Sequence, residues 1–346
     1  MDTTTPLVAV RESHRFDEAK LATYLEGHLE GFSAPVEVLQ VDGGLSNPTF
    51  VLSANRRQWV LRKKPPGKLL PSAHQVDREH RVQAALQNSD VPVPTMYLYC
   101  DDPSIIGTEF YVMDFVQGRL ISSAALPDFG PAERTAFYDD FIRVMAALHA
   151  VDYQAAGLED FGRPGNYYDR QIARWSKQYL ASKTDEIEPM ENLMKWLPEN
   201  VPGGDETTIV HGDFRIGNMI VHPTEPRIIA VLDWELSTLG HPLSDLAYSA
   251  IYSYYGELQG KQDELGSLGI PSEAEYLEKY CAASGRSDVP NWHFYVAFNL
   301  FRFAAIMQGV YKRGLDGNAS SERAKMMGDI CRARAQAGWK LVEEMA

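Results

Sequence analysis

Residues 209–218 read IVHGDFRIGN, and residues 231–235 read VLDWE. The first string sets Asp213 and Asn218 five positions apart on a polar stretch that follows an apolar one. The second brings Asp233 fifteen residues past Asn218, directly after the apolar run IIAVL. Phosphoryl transfer from Mg-ATP uses three oxygen-bearing side chains in this order. One carboxylate orients a hydroxyl, then an amide oxygen and a second carboxylate hold metal against the phosphates. Asp213 is therefore read as the base or orienter of an acceptor hydroxyl. Asn218 and Asp233 are read as the metal ligands, since Mg2+ prefers hard oxygens. His211 is expected to hydrogen-bond the loop rather than shuttle protons, and Glu235 could assist Asp233. Asp245, in HPLSDLAY, is expected to cap the next helix or brace the loop. Only eleven residues separate Asp233 from Asp245, too few for a long activation and peptide-docking segment, so the expected acceptor is a small molecule with a hydroxyl.

Upstream of this loop the chain changes character. VEVLQV, TFVLSA and RQWVLRK are short β-rich runs parted by Gly43-Gly44 and Asn55-Arg56, the signature of antiparallel strands joined by tight turns. Residues 14–31 and 73–88 carry helical spacing, and MYLYC and EFYVMDFV add two strands. The expectation is a first lobe of five strands with one inserted helix. Within VDGGLSNPTFVL, Gly44 lets backbone approach a phosphate while Ser46 and Asn47 add a hydroxyl and an amide. A plain hairpin turn is the alternative. Strand side chains repeat with period two, so Val60 and Arg62 share a face and Lys63 points away. That pairing sets an apolar Val60 at adenine and the Arg62 cation at phosphate. Choosing Lys64 instead would put Arg62 over adenine. Glu79 on the following helix is the expected partner of Arg62, with the shorter Asp77 as competitor. Met113, Asp114, Phe115 and Val116 end a strand and could line adenine while offering backbone groups to its edge. An interior strand running into a turn accounts for them equally.

From about residue 120 the chain reads as mostly helical. Phe137, Phe141, Val144, Met145 and Leu148 form one apolar stripe, and Tyr168, Ile172, Trp175 and Tyr179 form the next. Two short strands near 219–221 and 228–232 flank HPTEP. The aromatic run at 293–312 reads as core. The 346 residues suffice for two lobes with ample buried core, and a net charge of -14 argues against nucleic acid as a partner. Three scattered cysteines suggest a reducing, cytoplasmic setting without disulfides. No apolar run is long enough to cross a bilayer, and the N-terminus lacks the pattern of a signal peptide.

With these motifs the chain resembles the aminoglycoside phosphotransferase and choline kinase family, within the protein-kinase-like fold. HGDFRIGN is similar to that family's HxDxxxxN loop, VLDWE to its metal-binding Asp segment, and GGLSN to its phosphate loop. The resemblance spans roughly residues 36–250. The strings VLRKKPPG and HGDFRIGNMIVHPTEPRIIAVLDWELSTLG look closer to one subgroup, bacterial phosphotransferases similar to the N-terminal kinase domain of acyl-CoA dehydrogenase family members 10 and 11. The resemblance implies an α+β two-lobe fold, with a small antiparallel N-lobe at 1–116 and a larger helical C-lobe at 117–346. It implies ATP and Mg2+ as cofactors. It also implies a small-molecule acceptor, a hydroxyacyl-CoA thioester in the subgroup, with Arg62, Lys63, Lys64, Lys68, Arg170 and Arg174 as candidate contacts. An aminoglycoside or amino-alcohol acceptor, which the net acidity would suit, and a nucleotide-binding pseudokinase are the competing readings. The chain departs from much of the wider family in having Arg62 where Lys is usual, and these cations are not interchangeable.

Overall fold

The structure is a computed structural model that describes residues 6–42, 47–66, 74–318 and 321–345. In chain order the elements begin with β1 (Leu7–Ala9), α1 (Glu18–His28), β2 (Glu37–Val41), β3 (Thr49–Ala54), β4 (Arg57–Lys63), α2 (Val76–Leu86), β5 (Met96–Cys100), α3 (Pro103–Ile106), β6 (Phe110–Asp114), β7 (Arg119–Leu120) and α4 (Pro131–Ala150). They continue with α5 (Tyr167–Ser182), α6 (Glu188–Glu199), β8 (Thr208–Val210), β9 (Met219–Val221), β10 (Ile228–Val231), β11 (Thr238–Gly240) and α7 (Leu243–Tyr252). The chain ends in α8 (Leu265–Leu268), α9 (Glu273–Ser284), α10 (Trp292–Arg313) and α11 (Ser321–Glu343). Two compact units emerge. One comprises Met1–Phe161 with Ile216–Ser237, the other Gly162–Arg215 with Thr238–Ala346. Grouped by packing, α4 and the segment carrying Asn218 and Asp233 belong with the first unit, across the boundary that chain order alone puts after residue 116.

The first unit is built on a six-stranded antiparallel sheet in the order β1-β2-β3-β4-β6-β5. The expected five strands are all present, and β1 pairs with β2 as a sixth. Three residues are too short to show the alternation by which a strand is recognised. The helices expected over 14–31 and 73–88 are α1 and α2, and the short α3 joins them. Asp17 caps α1 by accepting from the Lys20 N–H, so the helix starts at Glu18 rather than at residue 14. The strand β4 is buried on both faces. Trp59 and Leu61 join Leu21, Leu25, Phe50, Phe110 and Val112 in one core, while Val60 joins Val76, Met96, Tyr111 and Met113 in another. This alternation sets Arg62 on the Val60 face.

In the same unit β7, β9 and β10 form a small antiparallel sheet. Asp140 on α4 accepts from the Ile228 N–H at 2.7 Å and holds its edge. A Cβ on Gly118 would come within 2.5 Å of the Val221 carbonyl, so only glycine fits beside β9.

The second unit is helical apart from the β8–β11 pair. Its core gathers the apolar stripe of α5 and the aromatic run of α10. Tyr168, Ile172, Trp175 and Tyr179 of α5 are buried, as are Phe294, Tyr295, Phe298 and Phe301 of α10. Phe303 is only half-buried. All three cysteines are free thiols. Among the described residues no helix is long and apolar enough to cross a membrane.

Candidate active site

In the first unit the Arg62 guanidinium is the centre of a charged cluster. Its Nε stands 2.8 Å from the Glu79 carboxylate, an ion pair without hydrogen-bond alignment. Its Nη2 donates to Asp233 Oδ1 at 2.9 Å and lies 4.0 Å from Glu235. Burial works against the cation, but Glu79, Tyr111, Asp233 and Glu235 together raise its pKa further above an already high value. Glu79 is nearly inaccessible, and burial raises its pKa despite the neighbouring cation. Its carboxylate accepts from Tyr111 Oη at 3.0 Å and from the Asn47 amide. Asp77, the competing partner, is exposed. A helix start at Val76 turns position 79 toward the sheet and position 77 toward water.

The other predicted nucleotide contacts divide into groups. Asn47 is buried, with its amide nitrogen on Glu79 and its oxygen accepting from His74 Nδ1 at 2.9 Å. Val60 and Met113 are direct cross-strand neighbours, and Phe115 packs on their cluster. Asp114 is turned to the opposite side, where Tyr97 Oη donates to it at 3.3 Å, and its N–H is taken by the Thr95 carbonyl at 2.8 Å. Val116 follows, half-buried. Gly44 and Ser46 lie outside the described residues, as does Lys68. Lys63 is buried on the other face of β4 over the Phe16 and Phe50 rings, and burial lowers its pKa. Lys64 pairs with Glu109 at 2.8 Å.

The two predicted metal ligands come from adjacent segments of this unit. Asn218 is buried at the end of a 3-10 turn, and its backbone carbonyl accepts from the Leu232 N–H at 2.8 Å. That bond ties the Asn218 segment to the strand end that carries Asp233. Asp233 adopts the left-handed backbone, φ 69°, which a non-glycine residue occupies only when its surroundings hold it there. The turn Trp234–Leu236 follows, anchored by Trp234 Nε1 donating to the Val231 carbonyl at 2.9 Å.

In the second unit the loop after β8 is held from several sides. Asp245, fully buried, accepts from the His211 N–H at 2.6 Å and the Gly212 N–H at 2.8 Å. Of its two expected roles, bracing the loop is the observed one; α7 has Pro242 at its N-cap and no side-chain cap. Gly212 takes φ 83°, a left-handed conformation that glycine adopts freely. His211 accepts the Asp213 N–H on Nδ1 at 3.2 Å, the structural role read from its position. The Asp213 carboxylate meets Arg215, whose Nε stands 3.2 Å from both oxygens. Burial opposes the Arg215 charge while Asp213 favours it, and on balance its pKa is raised.

Sequence reasoning missed three cations. Arg302, on α10, donates to the Gly212 carbonyl at 2.7 Å and stacks over Tyr248 at 4.7 Å. Arg215 lies inside the quoted motif, and its two-residue spacing from Asp213 was the available signal. Arg78, beside Glu79, reaches the carbonyls of Phe161 and Ser237. The distant pair carry no local pattern, because their targets are backbone carbonyls far along the chain. Of the other basic candidates, Arg170 donates to the Arg163 carbonyl at 2.5 Å and Arg174 lies over Trp175.

Residues 37–295 match the family model of the phosphotransferase enzyme family. The chain is 46% identical over 336 residues to mouse (Mus musculus) acyl-CoA dehydrogenase family member 10, covering 95% of this chain and 31% of that protein. It is 45% identical over 346 residues to human (Homo sapiens) acyl-CoA dehydrogenase family member 11, covering 97% and 44%. The chain therefore spans less than half the length of these relatives. A crystal structure from Ralstonia eutropha JMP134, provisionally named an aminoglycoside phosphotransferase, is similar with TM-score 0.88 and 46% identity over 95% of this chain and 99% of that one. Two more distant likenesses bear on fold alone. One is a thermostable aminoglycoside phosphotransferase variant in complex with AMP-PNP and hygromycin B, with TM-score 0.61 and 18% identity over 93% and 98% of the chains. The other is choline kinase from Cryptosporidium parvum, with TM-score 0.65 and 13% identity over 95% and 96%. The fold is protein-kinase-like, an antiparallel sheet lobe with a mostly helical lobe.

Proposed function

This chain belongs to the phosphotransferase enzyme family, and on that premise we propose that it transfers the γ-phosphoryl group of ATP to a hydroxyl of a small molecule. The observation that carries the reading is the Arg62 bridge, one guanidinium engaging both Glu79 and Asp233 beside the Asn218 segment. A cation so held has the position and the fork of donors to bind phosphate oxygens. Val60, Met113 and Phe115 would wall the adenine, with backbone groups at Phe115 and Val116 for its edge. Gly44 and Ser46 enter as phosphate contacts on their sequence alone, and Asn47 as the residue that steadies Glu79.

Asn218 and Asp233 fit Mg2+. Both offer hard oxygens, and an ion that keeps several waters takes few protein ligands. When bound, the ion neutralises charge on the phosphates. Asp213 would accept the hydroxyl proton or orient the hydroxyl, with Arg215 and the His211 contact fixing its direction. As the acceptor oxygen bonds to the γ-phosphorus, the bond from phosphorus to the β–γ bridging oxygen breaks and ADP leaves.

For the acceptor we read a hydroxyacyl-CoA, in a cytoplasmic enzyme that needs no nucleic-acid or membrane partner. The support is that the relatives carrying a counterpart of this chain are named for acyl-CoA chemistry. The test incubates the full chain and Mg-ATP with 4-hydroxyacyl-CoA, and separately with aminoglycosides and amino alcohols, and follows product by mass spectrometry. Phosphorylated thioester is the expected product. Turnover of the amino compounds alone would replace the acceptor, and Mg-ATP binding without turnover of any alcohol would indicate a pseudokinase. Failure to bind Mg-ATP would defeat the kinase reading.

A further inference from the structure

We propose that Arg78 is a positioning residue that sets the spacing between the Glu79 helix and the Asp233 turn, and so keeps both carboxylates within reach of Arg62. The inference rests on the nucleotide-binding reading above. Arg62 engages Glu79 and Asp233 with one guanidinium, so the two carboxylates have to stand one guanidinium apart. Glu79 rides on α2 and Asp233 opens the turn Trp234–Leu236. Some contact has to fix these two elements relative to each other.

Arg78 makes that contact. Its guanidinium lies 4.1 Å over the ring of the fully buried Phe161 and donates to the Phe161 carbonyl. The same nitrogen donates to the Ser237 carbonyl at 3.4 Å. Ser237 closes the turn that Asp233 opens, with its N–H on the Trp234 carbonyl at 3.1 Å. The residue next to Glu79 thus grips the far end of the Asp233 turn. That turn has a reason to need an external hold, because Asp233 sits in the left-handed region. A lysine ammonium lacks the planar face that lies over the Phe161 ring while one of its nitrogens donates to both carbonyls.

Arg81 is the internal control. It also anchors α2, donating to the Gly157 carbonyl at 2.7 Å and pairing with Asp160, two partners that lie outside the 234–237 turn. The experiment compares the full-length chain with Arg78→Ala, Arg78→Lys and Arg81→Ala variants. Calorimetry reads ATP binding with and without Mg2+, and hydrogen exchange reads the amides of 234–237. Both Arg78 variants are expected to weaken Mg-ATP binding by about tenfold or more. Metal-free ATP binding should change less, and exchange in the turn should accelerate. Arg81→Ala should match the parent in both. Unchanged exchange in Arg78→Lys overturns the proposal whatever the nucleotide does, and so does an equal loss in Arg81→Ala. A parent chain that binds no Mg-ATP overturns the nucleotide reading instead, and with it any alignment role, while the exchange result still shows whether Arg78 holds the turn. If Arg78→Ala does not fold, Arg78→Lys supplies both readouts.

Discussion

Arg62 places its Nη2 2.9 Å from Oδ1 of Asp233, a residue 171 positions further along the chain. The same guanidinium stands 2.8 Å from the buried carboxylate of Glu79. A strand, a helix and a strand-end turn thus meet on one cation. The forked guanidinium reaches two carboxylates at once, a geometry that a single ammonium does not offer. Replacing Arg62 by Lys should therefore retain the fold but raise the KM for ATP, by about tenfold for the loss of one charged contact. Steady-state kinetics on the acceptor that turns over checks this, and an unchanged KM would show that one ammonium suffices.

Removing the cation altogether should make stability pH-dependent. Burial already raises the Glu79 pKa above the ordinary 4.5, and Arg62 is the main influence lowering it. Such a group favours its protonated form in the folded state. Its contribution is thus fully favourable below pH 4.5 and is lost as pH rises through the folded pKa. Without Arg62 the folded pKa rises further. The thermal midpoint of Arg62→Ala should fall below the parent at neutral pH, and the gap should narrow as the buffer is taken down toward pH 4.5. A gap that stays constant across that window would mean Glu79 does not feel the cation.

Asp213→Asn should bind Mg-ATP like the parent yet lose turnover by about 10²- to 10⁴-fold, the range for removal of a positioned general base. Arg215→Ala should lower kcat less, since the carboxylate remains and only its direction is released. Rapid-quench and binding measurements together separate these outcomes. Full activity in Asp213→Asn would remove Asp213 from the mechanism.

Asp245→Ala should be severely destabilising. It leaves the N–H groups of His211 and Gly212 without their acceptor in a fully buried place. Two orphaned donors cost about 2–5 kcal/mol, readable by urea unfolding. Asp245→Asn keeps one acceptor oxygen and should fall between the two. Parity of the alanine variant with the parent would mean the loop is held by other contacts.

Asp233→Asn should fold, because asparagine tolerates the left-handed backbone that position 233 adopts. It gives up a charged oxygen ligand, so half-maximal activity should require more Mg2+. A magnesium titration that overlays the parent curve would take Asp233 out of the metal site.

Much of the fold was legible along the chain because it is built from local patterns. The alternation in RQWVLRK predicts which face of β4 carries Val60 and Arg62, and the stripes of α4 and α5 predict their buried sides. Short elements escaped, β1 above all, since a three-residue strand exists only through its partner. The boundary of packing also escaped. Chain order sees a strand-rich segment followed by helices, whereas the Asn218 and Asp233 segment packs with the strand-rich unit.

The candidate site divides the same way. Asp213, Asn218 and Asp233 could be named as candidates from residue type and spacing, because phosphoryl transfer would use those oxygens in that order. Which carboxylate holds Arg62, and that Asp245 braces the loop rather than capping a helix, depended on tertiary packing. So did the grip of Arg78 and Arg302 on distant carbonyls. Those contacts join segments up to 159 residues apart for Arg78 and 90 for Arg302, and their acceptors are backbone oxygens that every residue carries. Sequence by itself determined which chemistry-bearing side chains the loop offers and in what order. Tertiary structure alone decided which partners hold them within each unit, because those contacts are set by packing between elements the chain keeps apart.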